Sequence, residues 1–373
     1  MKWGTYDMKF AKNSALALVF SMALVVTGCG QKAPAAESDA STSTSTAAST
    51  PAETEQKLNV QVSFYPMYEF TKNVAGDLAD VHTLVPAGME PHDWEPTPQD
   101  MASIEKADVL VYNGAGMESW IDQVKDSLSS SKLIQVEASQ GISIREGREE
   151  EEHDHDHANG AATDHDHSDE HDHADDAAKD GNDHAEASSE EHDHEHDHGV
   201  LDPHVWLSPA LAIKEVRNIE AGLAKAAPRH AEQFKQNADA YVAKLEALDQ
   251  DFKAAVKDSK RKDFITQHAA FAYLAQEYGL QQVPIAGLSP EQEPSAAQMA
   301  SVIDFAKEHK VKTIFFETLV SSKVSDTIAQ EVGAKTAVLN PIEGLTEDEV
   351  KAGKDYISVM RENLEALKLA LNE

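Results

Sequence analysis

The sequence is poor in cysteine, in basic residues and in long apolar runs, and each shortage excludes a class of protein. A single cysteine among 373 residues excludes an intrachain disulfide and a zinc site built from several cysteines. Lys and Arg number 32 against 66 Asp and Glu, for a net charge of −34. Because phosphate binding requires clustered Lys and Arg, no nucleic-acid partner is expected. The apolar run at residues 15–26 is shorter than the roughly 20 residues of a membrane-spanning helix.

Residues 1–29 are interpreted instead as a signal peptide that ends in a lipobox. Lys9 and Lys12 precede the apolar run, which ends in Val26-Thr27-Gly28-Cys29, as in exported bacterial proteins. We expect Cys29 to carry a lipid and to anchor the chain to the outer face of a bacterial plasma membrane; the alternative is ordinary signal cleavage near a chance cysteine. Residues 30–56 are rich in Ser, Thr, Ala and Pro and are predicted to be a disordered tether.

The acidic charge and the histidines are concentrated in one segment, residues 146–199. Between Glu146 and His198 there are 22 acidic residues against two basic ones, together with 12 of the 18 histidines. This composition cannot bury a core, so we predict a disordered insert. Neutral imidazoles bind metal and anionic charge attracts cations, which favours a weak zinc collector over a merely solubilising loop. The predicted auxiliary ligands are His153, His155, His157, His165, His167, His171, His173, His192, His194, His196 and His198.

The remaining chain alternates strand and helix patterns in two series, which include strands predicted at 109–112 and 313–316, a helix from Pro98 capped by Thr97, and a helix at 117–128. This alternation predicts an α/β fold of two lobes, each with a mainly parallel sheet flanked by helices. The predicted N-terminal lobe is 57–228 and the C-terminal lobe is 260–373, bridged by one long rigid helix at 229–259 whose apolar residues recur every three or four positions. Ligands of open α/β sheets bind beyond the carboxyl ends of strands, so a cleft between the lobes is expected.

Four short segments that follow predicted strands carry the candidate metal ligands, namely His92, His204, His268 and Glu343. Zn²⁺ commonly takes four nitrogen, oxygen or sulfur ligands in tetrahedral geometry, and three histidines with one glutamate form a reasonable set where cysteine is lacking. Glu317 also ends a predicted strand and is an alternative fourth ligand, as is water.

Other histidines and carboxylates are assigned supporting roles. Asp93 and Asp202 adjoin two candidate ligands and could orient their imidazoles. The histidines outside both groups are His82, His230 and His309, which we interpret as structural or solvated.

The same segments resemble the zinc-binding lipoproteins of bacterial ABC importers, within the metal-specific solute-binding proteins. The resemblance is carried by the runs EPHDWEP at 90–96, LDPHVWLSP at 201–209, QHAAF at 267–271 and GLSPEQEPS at 287–295. An acidic histidine tract before the second run is also typical of the family. The resemblance implies two α/β lobes bridged by a rigid helix, with zinc ligated by His92, His204 and His268. The fourth position falls in the loop that contains Glu343.

From this resemblance we expect an extracytoplasmic zinc receptor that acts as a monomer and delivers Zn²⁺ to an ABC permease and its ATPase. Manganese relatives have a carboxylate where this chain has His268, and imidazole suits Zn²⁺ better than Mn²⁺. The alternatives are a manganese or broad-metal receptor, a surface adhesin or zinc-buffering lipoprotein, and a metallohydrolase. The H-E-x-x-H match at 194–198 lies in low-complexity sequence rather than on a stable helix, so no enzymatic activity is predicted.

Overall fold

The computed structural model describes residues 57–128, 132–147 and 200–373. The predicted signal peptide, the tether, Cys29 and the auxiliary histidines lie outside the described residues. Within those residues, no helix combines the length and the apolar character needed to cross a membrane.

The first lobe is built on a parallel sheet of four strands in the order β2-β1-β3-β4. Val60, Val62, Val109 and Val111 on one face join the main apolar core, while residues such as Leu110 on the other face join a smaller cluster with α2 and α3. Burial on both faces explains the continuous apolar run of β3. The elements are β1 (Leu58–Val62), α1 (Tyr65–Ala75), β2 (Ala79–Thr83), α2 (Pro98–Glu105), β3 (Val109–Tyr112), α3 (Ile121–Ser127) and β4 (Ile134–Glu137).

A short antiparallel pair and one helix complete the first lobe, and a long helix leads to the second. The two strands of this pair flank residues 148–199 in the sequence, so the described chain extends two residues into the predicted insert before that segment begins. The elements are β5 (Arg145–Glu146), β6 (Leu201–Asp202), α4 (Pro209–Ala226) and α5 (Ala231–Val256). The long helix was expected at 229–259, but Pro228–His230 form a separate 3-10 turn.

The second lobe contains a parallel sheet in the order β10-β9-β7-β8. Helix α5 packs against α1 and α4 of the first lobe and against α10 of the second. The main core is continuous across both lobes, with members such as Phe70, Leu245 and Leu367. The elements are β7 (Asp263–Thr266), α6 (Ala272–Glu277), β8 (Gln281–Pro284), α7 (Ala296–Glu308), β9 (Thr313–Phe316), α8 (Lys323–Val332), β10 (Lys335–Val338), α9 (Glu347–Lys351) and α10 (Tyr356–Ala370).

Most predicted elements are present, with ends that shift by a few residues. Strands β3 and β9 have the expected bounds, and Thr97 caps α2 as expected, in a capping box with Asp100. The helix expected from Met117 begins only at Ile121. The pair β5–β6 and the short helix α9 were not predicted.

Candidate metal centre

Four side chains from four separate loops meet at one point. His92 lies between β2 and α2, His204 between β6 and α4, His268 between β7 and α6, and Glu343 between β10 and α9. They form the one group of three or more histidine and acidic side chains, within the described ranges, whose ligand atoms all lie within 4.8 Å of one another. The structure therefore brings together all four candidates chosen from the sequence.

The distances among the donor atoms match a tetrahedral zinc site. Glu343 Oε1 lies 3.2 Å from the Nε2 atoms of His92, His204 and His268. The His204 Nε2 atom lies 3.3 Å from the Nε2 atoms of the other two imidazoles. An ion with four tetrahedral bonds of about 2.0 to 2.1 Å separates its ligands by about 3.3 Å. The donors are thus spaced for Zn²⁺ with little rearrangement.

His204 is oriented by the acidic residue two positions before it. Its Nδ1–H donates to Asp202 Oδ1 at 2.9 Å, and its backbone N–H donates to the same oxygen at 3.1 Å. A proton held on Nδ1 leaves the Nε2 lone pair directed at the centre, as in many metal sites. Asp202 therefore has the orienting role expected from the sequence.

His268 is held in the same way by a distant carboxylate. Glu317 Oε1 accepts from the His268 Nδ1–H at 2.5 Å and from its backbone N–H at 3.1 Å. The His268 carbonyl accepts from Thr266 Oγ1 and Gln282 Nε2, both at 2.8 Å. Glu317, considered above as an alternative fourth ligand, instead contacts the far side of the imidazole.

His92 is the most accessible of the four, with 11% of its side chain exposed. Its backbone N–H donates to both carboxylate oxygens of Glu90, at 3.0 and 3.1 Å. Among the hydrogen bonds of the described residues, none joins Asp93 to the His92 ring, so the orienting role expected of Asp93 is wrong. Glu90 was missed, although the matching spacing of E-P-H at 90–92 and D-P-H at 202–204 could have indicated it.

The charges of the metal-free site follow from burial and contact. Burial lowers the pKa of His268, but the carboxylates of Glu317 and Glu343 outweigh it and raise the pKa to about 10. Burial likewise lowers the pKa of His204, and hydrogen bonds to Asp202 and Glu343 raise it above its usual value. Burial raises the pKa of Glu343, but the neighbouring imidazoles hold it well below the usual range. The site is a buried pocket in which a metal ion must displace protons from the imidazoles.

The remaining described histidines lie apart from this centre. His82 is exposed on β2, and His309 is exposed and stacks on Phe305 with ring centres 4.0 Å apart. His230 contacts Arg229 at the start of α5. These positions agree with the structural or solvated roles expected of them.

Comparisons with known proteins agree on one family. A family profile described as ZnuA, zinc-uptake complex component A, periplasmic, matches residues 60–370. The chain is 45% identical over 362 residues to the high-affinity zinc uptake system protein ZnuA of Bacillus subtilis strain 168, covering 97% of this chain and 98% of that protein. It is 45% identical over 317 residues to the zinc-binding protein AdcA of Streptococcus pyogenes serotype M3, covering 84% of this chain and 56% of that protein. This chain therefore spans little more than half of AdcA.

Solved structures give the same result. The Zn(II)-bound ZnuA-like domain of Streptococcus pneumoniae AdcA superposes with a TM-score of 0.66 at 39% identity, covering 85% of this chain and 100% of that chain. The lipoprotein YcdH of Bacillus subtilis, described as metal-dependent, superposes with a TM-score of 0.65 at 44% identity, covering 85% of this chain and 100% of that chain. The family profile match at residues 60–370 includes all four donor residues.

Proposed function

Because this chain belongs to the zinc-uptake complex component A family, we propose that it is a high-affinity zinc receptor that captures Zn²⁺ outside the cytoplasm and delivers it to an ABC permease. The observation that carries the proposal is the spacing of the four donor atoms of His92, His204, His268 and Glu343, at 3.2 to 3.3 Å for the pairs given above. Zinc is the cargo of this protein, bound between the lobes and released to the transporter.

The donor set favours zinc over manganese. Three of the four donors are imidazole nitrogens, which suit Zn²⁺, whereas Mn²⁺ favours carboxylate and other oxygen ligands. His268 is fixed as a nitrogen donor by its hydrogen bond to Glu317. Glu317 therefore supports the imidazole rather than replacing it, and the harder donor set of a manganese receptor is not assembled.

The arrangement supports binding rather than catalysis. Catalytic zinc sites usually have three protein ligands and leave a position for water, whereas here four side chains supply all four tetrahedral positions. His204, His268 and Glu343 are buried, which shields a bound ion from solvent. We infer that the protein holds its ion in transit and does not act as a metallohydrolase.

Acidic side chains line a pocket formed largely by the sequence neighbours of His92. Glu90, Asp93, Glu95 and Glu291 line one pocket beside His92, together with Met89 and Trp94. Negative charge in a concave surface raises the local concentration of cations. This lining supports capture of a divalent cation from dilute solution.

The partners and the location complete the proposal. We propose that Cys29 carries the lipid anchor, that residues 30–56 are a tether, and that the histidines of 146–199 collect zinc near the cleft. In this arrangement the protein acts as a monomer beside its permease and ATPase. The lobes, with the proposed boundaries 57–228 and 260–373 on either side of α5, hold the ion between them.

Metal titration of single variants tests the central proposal. The purified protein should bind one zinc ion tightly in the cleft, and His92→Ala, His204→Ala, His268→Ala and Glu343→Ala should each weaken that site. His309→Ala is the matched control, because His309 is exposed and remote from the cleft. Titration against a chelator of known affinity separates the cleft from weaker sites. If the four variants retain the affinity of the control, the proposed function is wrong.

A second assay tests delivery. Cells that depend on this protein for growth at low zinc should lose that growth when His204→Ala replaces the wild type, and added zinc should restore it. Growth that is unchanged by the substitution would contradict a role in import.

A further inference from the structure

The residue before Glu343 adopts a backbone conformation that is unfavourable for its type. Ile342 is fully buried and has a φ of +58°. A β-branched side chain rarely occupies the left-handed region, because its Cβ approaches the backbone too closely. Such a conformation persists only where the surroundings impose it, and it commonly occurs at functional sites. The question is which residues impose it here.

Two buried asparagines hold the backbone of this loop. Asn340 Oδ1 accepts from the Ile342 N–H at 2.7 Å. Asn363, on α10, accepts from the Asn340 N–H through Oδ1 at 2.8 Å and donates from Nδ2 to the Asn340 carbonyl at 2.7 Å. Because a backbone N–H can only donate and a carbonyl can only accept, the orientation of the Asn363 amide is fixed. Asn340 and Asn363 are 3% and 1% exposed, so no solvent competes for these bonds.

The loop that carries Glu343 is also bonded to the segment that follows His204. Trp206 Nε1–H donates to the Pro341 carbonyl at 2.8 Å. Helix α10, which carries Asn363, packs against α5. The backbone of Asn340 is thus bonded to α10, and that of Pro341 to the segment that follows His204.

We propose that Asn363 is a positioning residue for metal capture, acting through Asn340 and Ile342 to fix the Glu343 carboxylate between the three imidazoles. This inference rests on the proposed function, in which Glu343 is a zinc ligand. Asn363 itself contacts none of the four donor side chains in the hydrogen bonds described. Its effect on zinc must therefore pass through the loop and depend on Glu343.

The alternative is that Asn363 only stabilises the packing of α10. A double-mutant cycle separates the two roles, because coupling between two residues shows as non-additive effects. We expect Asn363→Ala to weaken zinc binding by about 10-fold to 100-fold, the range for residues that orient metal ligands. In a Glu343→Ala background, the same substitution should change zinc affinity by no more than about twofold.

Two further variants keep the test decisive. Leu364→Ala, the neighbouring buried position on α10, controls for loss of helix packing and should lower the Tm without weakening zinc binding. If Asn363→Ala does not fold, Asn363→Asp keeps the acceptor for the Asn340 N–H and removes the donor to its carbonyl. The visible spectrum of bound Co²⁺ provides a structural readout, since a displaced carboxylate should weaken the intense absorption of tetrahedral Co²⁺.

The outcomes distinguish this inference from the proposed function. The positioning role is supported if Asn363→Ala weakens zinc binding in the wild-type background but not in the Glu343→Ala background. If Asn363→Ala weakens zinc binding equally in both backgrounds, the positioning role is overturned and the receptor function stands. The same conclusion follows if Glu343→Ala weakens zinc binding and Asn363→Ala leaves it unchanged. If Glu343→Ala itself leaves zinc affinity unchanged, the assignment of Glu343 as a ligand fails, and the positioning role fails with it.

Discussion

Replacing Glu317 by glutamine should weaken zinc binding, and the loss should grow with pH. The substitution keeps the shape of the side chain and removes the charge that faces His268 Nδ1 at 2.5 Å. A hydrogen bond to a charged group contributes about 1.5 to 3 kcal/mol and a neutral one about 0.5 to 1.5 kcal/mol. The difference of roughly 1.4 kcal/mol corresponds to about a tenfold increase in Kd. Glu317→Ala removes the acceptor altogether, and we expect a loss of up to about 100-fold.

The pH dependence follows from the proton on His268. In the metal-free protein, burial lowers the pKa of this group and Glu317 and Glu343 raise it, to about 10. Below that pH zinc must displace the proton, so apparent affinity should rise about tenfold per pH unit between pH 7 and 9. Without the Glu317 charge the pKa of His268 falls, the ring loses its proton at lower pH, and the rise in affinity with pH becomes shallower. The wild type and the variant should therefore diverge as pH increases.

Competition titrations with a chelator at several pH values measure both effects. Glu331→Gln is the matched control, because Glu331 lies on α8, is 57% exposed and pairs with Lys307. Parallel pH profiles for Glu317→Gln and the wild type would refute the argument from charge. Equal affinity at pH 9 would refute the orienting role of Glu317 as well.

Three further predictions concern stability and the loop of Glu343. Glu215 is fully buried with both carboxylate oxygens unpartnered; burial raises its pKa well above the usual value and Glu118 raises it further. Stability should therefore fall as pH rises above about 4.3, where the carboxyl of the unfolded chain ionises. The Tm of Glu215→Gln relative to that of the wild type should increase from pH 4.5 to 7.5. A difference in Tm that stays constant over this range would contradict the argument. Thr97→Ala removes the α2 capping box and should lower the free energy of unfolding by about 1 kcal/mol in urea titrations, with zinc affinity unchanged. Trp206→Phe removes the bond to the Pro341 carbonyl and should lower both the Tm and zinc affinity, whereas loss of stability alone would show that this bond does not support the site.

The alternation of strands and helices could be predicted because short sequence patterns indicate each element. Strand β3 is an apolar run, and Thr97-Pro98 marks the start of α2. The short pair β5–β6 could not be predicted, since each strand has two residues and its partner lies across the acidic segment. Strands of that length have no detectable periodicity.

His92, His268 and Glu343 could be found because they follow parallel strands, which end at one edge of a sheet, whereas His204 follows the short antiparallel strand β6. The sequence could not show whether Glu317 or Glu343 is the fourth ligand. Glu317 and Glu343 follow the neighbouring strands β9 and β10, so their topological positions are nearly equivalent. They differ in which nitrogen of His268 each one faces, Nδ1 or Nε2. That difference depends on how the imidazole is turned, and the ring contact that defines it is the bond from Nδ1 to Glu317.

The four ligands are not equally fixed, and this indicates how an ion reaches the site. Trp206 and Leu207 beside His204, Phe271 near His268, and Ile342 beside Glu343 all belong to the one continuous apolar core. These three donors therefore share a common support, and motion of one relative to another would require repacking of that core. His92 instead lies on a loop with acidic neighbours and is the ligand with the most exposed side chain. We therefore expect Zn²⁺ to enter past His92 and to be received by a preformed set of two imidazoles and one carboxylate, which His92 completes.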